Sequence, residues 1–396
     1  GIHVCLNFHR APGYTVAKPA EKTSLWTDAA TQRVCAKHWA AFARRYRGIP
    51  NTRLSFNLMN EPAGVEPQVY VEVVRKLAAA IREEDPDRLI ISDGLQWGQN
   101  PIPELIPLRI AQATRGYTPM EISHYKASWV NGENFPRPEW PRLQAPNGTL
   151  LSPQKAEGSH PLVVNGPFAA DTQLRLRVLV VSSAANLVVE ADGSQVFQKH
   201  FKTGPGDGEW KKAELSKYKI YQNLYDRDYT AKIPAGTKQV SIRVISGDWL
   251  QIGQISFKPA APGSKEDTLT LPQQFGKKPA PFRYAPGVAG GPFLDLPMHG
   301  RDWLRQTCIE PWKAAESAGA GVFVGEWGAF SKTPHDVFLH WAEDSLKNWK
   351  DAGWGWALWN FRGSFGVLDS SRSDVNYETL GEHKLDKKFL ELLQRY

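Results

Sequence analysis

Short apolar runs alternate with amphipathic segments in the first part of the chain. Residues 2–8 and 54–58 place apolar side chains at nearly every second position, which is typical of strands. Between them, residues 35–46 place apolar side chains at helical spacing, and a glycine follows as a stop signal. A second helical pattern at 70–81 and a third apolar run at 88–92 continue the alternation. This rhythm predicts a parallel sheet with helices outside it, either doubly wound or closed as a barrel.

The pattern changes after residue 125, where closely spaced prolines interrupt any helix and indicate a linker. From about 161 to 259, short alternating runs separated by turn residues predict an all-β, sandwich-like domain. Helical and strand patterns return beyond residue 300 and continue to the end of the sequence. We therefore predict an α/β domain in two parts, 1–145 and 263–396, with the all-β domain inserted at 146–262.

Strand patterns of the α/β part can be located individually. Each is a short apolar run, and the carboxyl ends of several carry polar or aromatic side chains. The sequence predicts six such strands, at about 2–8, 53–59, 89–93, 120–124, 321–325 and 354–359.

Composition and charge narrow the classes of function. Apolar residues make up 41% and charged residues 22% of 396 residues, which is typical of a globular protein. The net charge is +7, but lysines and arginines are interspersed with 41 acidic residues, so nucleic-acid binding is not expected. The three cysteines lack the spacing of a disulfide framework or a zinc site. Neither a signal peptide nor a membrane span is expected, because no apolar run is long enough and no charged leader is visible.

Two glutamates follow predicted strands of the same sheet. In a parallel α/β barrel, the functional side chains lie at the carboxyl ends of the strands. Glu61 comes directly after an apolar strand and before Pro62, and Glu326 ends another strand in the segment Gly-Glu-Trp-Gly. Retaining glycosidases need one carboxyl group as acid and base and a second as nucleophile. The full set of strand-end candidates is His9, Asn60, Glu61, His124, Glu326 and Trp359.

Four motifs in order resemble glycoside hydrolase family 5, the cellulase and mannanase family of clan A. Residues 6–13 look like the third strand of that family and its His-bearing loop, and residues 56–62 look like the fourth strand with its Asn-Glu pair. Residues 323–328 resemble the seventh strand, and residues 356–366 resemble the eighth. The resemblance covers about 1–130 and 290–396, and it implies a (β/α)8 barrel.

The resemblance also implies roles for these residues. Glu61 would protonate the leaving oxygen and later activate water, while Glu326 would attack the anomeric carbon. Asn60 would bind the sugar 2-hydroxyl, and Trp359 would form the floor beneath the sugar that is attacked. The remaining substrate-binding candidates, which would position the sugar or the nucleophile, are His9, His124 and Tyr125.

The sequence departs from the family pattern in three places. The family carries His, any residue and Tyr on its sixth strand, whereas here Lys126 stands two residues after His124. No position matches the second-strand arginine that holds the nucleophile as a carboxylate. Only six of eight barrel strands are found, which implies that the first two are missing. Six parallel strands leave exposed edges, so we expect the inserted domain or a homo-oligomer to cover them.

These observations predict a retaining hydrolase of β-1,4-linked glucan or a related β-glycan, without a metal or organic cofactor. A β-mannanase, an exo-β-glycosidase and a non-catalytic sugar-binding protein are the alternatives. The expected partner is a β-linked oligo- or polysaccharide. Such a substrate implies an extracellular or periplasmic location.

Overall fold

The computed structural model describes residues 2–154, 159–289 and 291–396. The chain forms two compact units, one comprising residues up to Arg142 together with His299–Tyr396, and the other Leu143–Met298. The first unit carries the α/β pattern and the second is all-β. Numbered in chain order, the helices are α1 Ala29–Arg45, α2 Pro67–Glu84, α3 Leu95–Gly98, α4 Met120–Ser123, α5 Arg301–Leu304, α6 Glu310–Ser317, α7 His335–Ala352 and α8 Lys387–Arg395.

The strands are numbered in the same way. They are β1 Val4–Asn7, β2 Leu54–Asn57, β3 Ile90–Asp93, β4 Ala111–Gly116, β5 Arg142–Leu143, β6 Thr149–Leu151, β7 Leu162–Asn165, β8 Thr172–Ala191, β9 Ser194–Lys202, β10 Gln222–Ile233, β11 Gln239–Pro259, β12 Asp267–Thr270, β13 Phe282–Tyr284, β14 Phe293–Leu294, β15 Met298–His299, β16 Val322–Trp327, β17 Trp356–Leu358, β18 Glu378–Leu380 and β19 His383–Leu385.

The α/β unit contains a six-stranded parallel sheet in the order β1-β2-β3-β4-β16-β17. A flat sheet of this size would separate its two edge strands by five spacings of about 4.8 Å, or roughly 24 Å. Yet the rings of His9 and Trp359, which follow the two edge strands, stack with centroids 5.3 Å apart. The sheet is therefore strongly curled, and the prediction of an incomplete (β/α)8-type barrel is confirmed.

One of the six predicted strands was wrong. Residues 120–124 were expected to form a strand, but Met120–Ser123 is the helical turn α4, which follows Pro119. The fourth strand is instead β4, Ala111–Gly116, which pairs with β3 on one side and β16 on the other. The error arose because Met120 and Ile122 alternate like a strand, whereas β4 contains buried polar residues that do not read as an apolar run.

Helices α1 and α2 cover the outer face of β1–β3. The side chain of Asp28 caps α1 by accepting a hydrogen bond from the backbone N–H of Ala30 at 2.9 Å. Helix α2 begins at Pro67, where the missing N–H costs nothing because the first turn has no partner for it. The apolar stripes of the two helices meet the sheet around Trp39 and Phe56, both fully buried. This packing holds the strands whose carboxyl ends carry the candidate site.

The all-β unit has its own core and one nine-stranded sheet. Strand β8 pairs with β10 through its first half and with β9 through its second half, and β11 runs beside both halves with several register shifts. These two long strands make most of the strand pairings of this sheet. The unit extends to Met298 rather than to 262, because β12 pairs with β11 and β13 pairs with β7.

The strands at the two edges of the parallel sheet each have a single neighbour within it. Ile2 and Val4 at the β1 edge are 82% and 53% exposed. That a second copy of the chain covers such an edge stays a prediction. Within the described ranges, no helix combines the length and apolar character needed to cross a membrane.

Gly116, the last residue of β4, has no room for a side chain. A Cβ there would lie 2.6 Å from Cβ of Trp327 and 2.7 Å from the indole ring of Trp349. We expect Gly116→Ala to lower the free energy of unfolding by about 1–3 kcal/mol, because the buried rings must move. Urea unfolding followed by tryptophan fluorescence measures this, since all of the 15 tryptophans except Trp210 and Trp249 lie in the α/β unit.

Gly355 is the matched control for this substitution. It precedes β17 in the same unit, and a Cβ there would meet no atom within 4 Å. Gly355→Ala should therefore change the unfolding midpoint little or raise it slightly. Equal destabilisation by the two variants would contradict the packing explanation.

Candidate active site

The loop after β2 places Glu61 in a strained backbone conformation. Its φ angle is 50°, in the left-handed region that side chains other than glycine rarely adopt. The backbone N–H of Glu61 donates to Oδ2 of Asp93 at 2.8 Å, and its carbonyl oxygen accepts from the hydroxyl of Tyr14 at 2.6 Å. These two hydrogen bonds fix the peptide groups on both sides of the residue, so the carboxyl group is aimed by the backbone itself.

Arg115 on β4 is the buried centre of the site, with a side chain only 5% exposed. Its Nε donates to Oε1 of Glu61 at 3.2 Å, and its Nη2 donates to Oδ1 of Asn60 at 2.9 Å. The same Nη2 forms an ion pair with Asp93, whose carboxylate is fully buried. The other oxygen of Asp93 accepts from Nδ2 of Asn57 at 2.8 Å. One guanidinium thus joins the carboxyl ends of β2, β3 and β4.

A β-bulge in β16 brings Glu326 next to Arg115. Val324 pairs with Thr114, but the next pair along β4 is Glu326 with Arg115, so Gly325 is the extra residue. Without the bulge, Glu326 would point to the opposite face of the sheet. A Cβ on Gly325 would lie 2.8 Å from Nη1 of Arg115, which explains why glycine occupies this position.

Tyr117 binds the second glutamate. It lies two residues after Arg115, so both side chains leave the chain on the same face. The hydroxyl of Tyr117 donates a hydrogen bond of 2.7 Å to Oε1 of Glu326. Burial and the negative charge of Glu326 hold the pKa of Tyr117 well above its ordinary value, so the phenol stays protonated and keeps donating.

The two glutamates have different electrostatic surroundings. The pKa of Glu61 is raised to about 7, mainly by burial; Arg115 opposes the rise, and the negative charges of Glu326 and Asp93 contribute to it. Burial alone lowers the pKa of Arg115, but the charges of Asp93, Glu326 and Glu61 outweigh it and raise the pKa. Glu61 can therefore carry a proton near neutral pH, while Glu326 accepts its hydrogen bond from a phenol.

Aromatic side chains line the rest of the site. Trp359 is 39% exposed and stacks on His9 with an angle of 7° between the rings. His124 is buried, meets the ring of Tyr117 edge-on at 4.9 Å, and receives or donates a 2.9 Å hydrogen bond at Ser123 Oγ. Burial lowers the pKa of His124 to about 4, so its ring is neutral at neutral pH. The ring of Tyr125 faces the ammonium group of Lys126 at 5.3 Å.

A metal ion has no evident ligand set here. Across the described part of the chain, histidine, cysteine and acidic side chains do not gather in groups of three or more arranged to hold one.

The first third of the chain is similar to a known protein family. Residues 1–125 match the family model described as Cellulase (glycosyl hydrolase family 5). The resemblance expected from the motifs is thereby confirmed over residues 1–125. The matched segment contains Asn60, Glu61 and Arg115, whereas Glu326 and Trp359 lie beyond it.

Solved structures are also similar to this chain. A structure described as that of a glycoside hydrolase shares 25% sequence identity, covering 100% of this chain and 76% of that chain, with a TM-score of 0.58. Endoglucanase Cel5A from the hyperthermophilic Thermotoga maritima shares 15% identity, covering 99% of this chain and 85% of that chain, with a TM-score of 0.47. No curated protein gives a significant match.

The structure corrects the reading of the sixth barrel strand. The expected His-any-Tyr pattern was sought at His124, and its tyrosine was considered missing. In the structure the strand is β4, and Arg115-Gly116-Tyr117 stands at its end, so the tyrosine that contacts the nucleophile candidate is Tyr117. Arginine stands where the family pattern has histidine.

Sequence reasoning missed Arg115, Tyr117, Asp93 and Tyr14. Asp93 carried a usable signal, because it follows the apolar run 88–92 directly, as Glu61 follows β2. Arg115 and Tyr117 carried a weaker one, since their strand had not been recognised. The candidates that the structure does gather around one centre are Asn60, Glu61 and Glu326.

Replacing Asp93 by asparagine should destabilise the unit strongly. Both oxygens of Asp93 accept hydrogen bonds, so either orientation of the amide sets its NH2 group against a donor. The positive charge of Arg115 also loses its buried partner. We expect Asp93→Asn to lower the free energy of unfolding by about 3–5 kcal/mol in urea denaturation.

The control removes one charge from an exposed ion pair. Glu84 pairs with Arg44 on the surface, where the arginine side chain is 69% exposed. Glu84→Gln should cost less than about 1 kcal/mol, since water screens the pair. Similar costs for the two variants would show that the buried pair contributes nothing special.

Proposed function

We propose that the protein hydrolyses β-linked glucan by a double displacement that retains the anomeric configuration. The observation that carries this proposal is the asymmetric pair of strand-end glutamates around Arg115. Glu61 has a pKa raised to about 7, and Glu326 accepts a hydrogen bond from Tyr117. An acid near its pKa beside an ionised carboxylate is the combination that retaining glycosidases use.

In the first step, a carboxylate oxygen of Glu326 forms a bond to the anomeric carbon. The bond between that carbon and the glycosidic oxygen breaks, and its electron pair goes to the leaving oxygen. Glu61 gives its proton to the same oxygen, which leaves as an alcohol. The products of this step are a glycosyl ester on Glu326 and a Glu61 carboxylate.

In the second step, the Glu61 carboxylate takes a proton from water as the water oxygen bonds to the anomeric carbon. The ester bond breaks, and its electron pair returns to Glu326. Two inversions at one carbon restore the original configuration. The Tyr117 hydroxyl, by donating to Oε1 of Glu326, would stabilise the carboxylate before attack and again on release.

The proposed substrate class rests on the family and on the aromatic surface beside the glutamates. The matched family model is named for cellulase, and the ring of Trp359 presents an apolar face on which a pyranose can stack. A β-1,4-glucan fits both, and mannan is the alternative polymer. Because a polysaccharide does not enter cells, we place the protein outside the cytoplasm as part of the same proposal.

A sugar-binding protein without activity is the competing function. It was favoured by the missing second-strand arginine, without which the nucleophile candidate lacks a positive partner. Arg115 is a buried cation in register with Glu326, so this objection loses its force. We therefore favour hydrolysis.

Replacement of either glutamate should strongly reduce hydrolysis, because the two residues have different roles in the proposed reaction. We expect Glu326→Ala to reduce turnover of cellooligosaccharides to background, and Glu61→Gln to reduce it by about a hundredfold to ten thousandfold. NMR of the first-formed product should show the β anomer, as retention requires.

Exposed Glu66, five residues after Glu61, provides the control, and Glu66→Gln should leave turnover unchanged. An α-anomeric product would refute the double displacement. Turnover by Glu326→Ala equal to that of the natural sequence would refute the assignment of the nucleophile.

The pH dependence should reflect the proton on Glu61. The first step needs Glu61 protonated, so kcat/KM should fall as the pH rises through about 7. Initial rates on an aryl β-cellobioside between pH 4 and pH 9 measure the profile. Activity that remains constant from pH 6 to pH 9 would contradict the role given to Glu61.

A further inference from the structure

Three acidic side chains and one guanidinium meet at the carboxyl ends of the strands. Among the described residues, Arg115 bonds to Glu61 and Asp93 and stands in register with Glu326. Three ionised carboxylates beside a single cation would leave a net charge of −2 in a largely buried space, which is unfavourable. If one of the acids keeps its proton, the net charge is −1.

Asp93 is the acid least able to hold that proton. Its two oxygens accept from Asn57, from the backbone of Glu61 and from Arg115, so each is already occupied by a donor. Protonation of Asp93 would weaken these bonds, because an ionised carboxylate accepts hydrogen bonds more strongly than a neutral acid does. The proton therefore lies on Glu61, the acid that gives it up and regains it in the proposed reaction.

We propose that Arg115, anchored by Asp93, is a positioning residue that lies between the two glutamates and compensates whichever of them is ionised. This proposal rests on the proposed function. Before attack, Glu326 is the carboxylate and Glu61 carries the proton. In the glycosyl intermediate, Glu326 is an uncharged ester and Glu61 is the carboxylate. The four groups carry a net charge of −1 in both states, so the cation need not move.

The geometry suits this role. Nε of Arg115 already lies 3.2 Å from Oε1 of Glu61, a distance at which ionisation of Glu61 would turn a hydrogen bond into an ion pair. On the other side, the bulge at Gly325 leaves no side chain between Arg115 and β16. Asp93 holds the guanidinium from a third direction, so it stays in place through both steps.

Other titratable groups around Arg115, Glu61 and Glu326 come from several elements of the fold. They include a thiol and three phenols, and burial raises the pKa of each phenol and of the thiol, so all four stay uncharged near neutral pH. The groups that face Arg115, Glu61 and Glu326 are Asp93 on β3, Tyr117 after β4, Cys5 on β1, Tyr14 and Tyr70.

The test measures the protonation of Glu61 without needing turnover. Protein labelled with ¹³C at the glutamate side-chain carboxyl is titrated by NMR, and Glu61→Gln identifies the Glu61 signal. In Arg115→Gln, the midpoint of Glu61 should move up by about one pH unit or more, because an opposite charge has been removed. Arg115→Lys, which keeps the charge without the planar fork, should give an intermediate midpoint.

Two further variants distinguish the loss of the Arg115 charge from misfolding of the protein. Arg115→Gln combined with Asp93→Asn removes both charges of the buried pair, so no unpaired charge stays buried; its midpoint should also move up, by less than in Arg115→Gln. Arg88 is the matched control, because it is buried and paired with Asp85 far along the chain from these glutamates. Arg88→Gln should destabilise the protein and leave the midpoint of Glu61 unchanged. Circular dichroism identifies the folded variants.

Kinetics add a second readout. In Arg115→Gln, the basic limb of the pH profile should move by the same amount as the NMR midpoint, with a larger loss in kcat than change in KM. An unchanged midpoint of Glu61 in both Arg115→Gln and the double variant would overturn the proposal. Absence of hydrolysis by the natural sequence on all β-glycans would overturn the proposed function instead, so the two failures are distinguishable.

Discussion

The buried ion pair between Arg115 and Asp93 is the interaction on which the site depends. Removing two charges from water is costly, and the cost is offset only where hydrogen bonds satisfy the remaining donors and acceptors. Here Asp93 accepts from Asn57 and from the backbone of Glu61, and Arg115 donates to Asn60 and Glu61. The groups that satisfy the pair are thus the residues of the Asn-Glu motif. The same contacts stabilise the buried charges of Arg115 and Asp93 and orient Glu61.

Strand register converts this pair into a two-carboxylate site. In a parallel sheet, each strand places alternate side chains on one face, so the face of Glu326 is decided by a single residue of register. The bulge at Gly325 makes that choice, and glycine is needed because any side chain there would meet Arg115. Gly116 has the matching constraint on the next position of β4, where Trp327 and Trp349 occupy the space of a Cβ. These two glycines therefore leave room for the side chains of Arg115, Trp327 and Trp349.

The sequence predicts those parts of the molecule whose signals are local. Glu61 and Glu326 end strands that are apolar along most of their length, and their short motifs were sufficient to select them as candidates. β4 was missed because Gln112 and Thr114 are buried with their polar groups bonded, which no apolar period reveals. The boundary of the all-β unit was placed too early, because β12 and β13 are held by pairing with strands far away in sequence. Contacts between distant segments decide such features, and a periodicity within one segment does not contain them.

Backbone strain at Glu61 shows how the site is held ready. A left-handed conformation at a residue with a side chain costs of order 1 kcal/mol or more, and it persists only where the surroundings determine it. At Glu61, the N–H is held by Asp93 and the carbonyl oxygen by Tyr14. Tyr14 in turn accepts from the N–H of Ala63, so the clamp spans both sides of Pro62. Because Asp93 also anchors Arg115, the backbone of Glu61 and the cation beside its carboxyl group are fixed by one side chain. The direction in which the acid points and the charge that it experiences are consequently coupled.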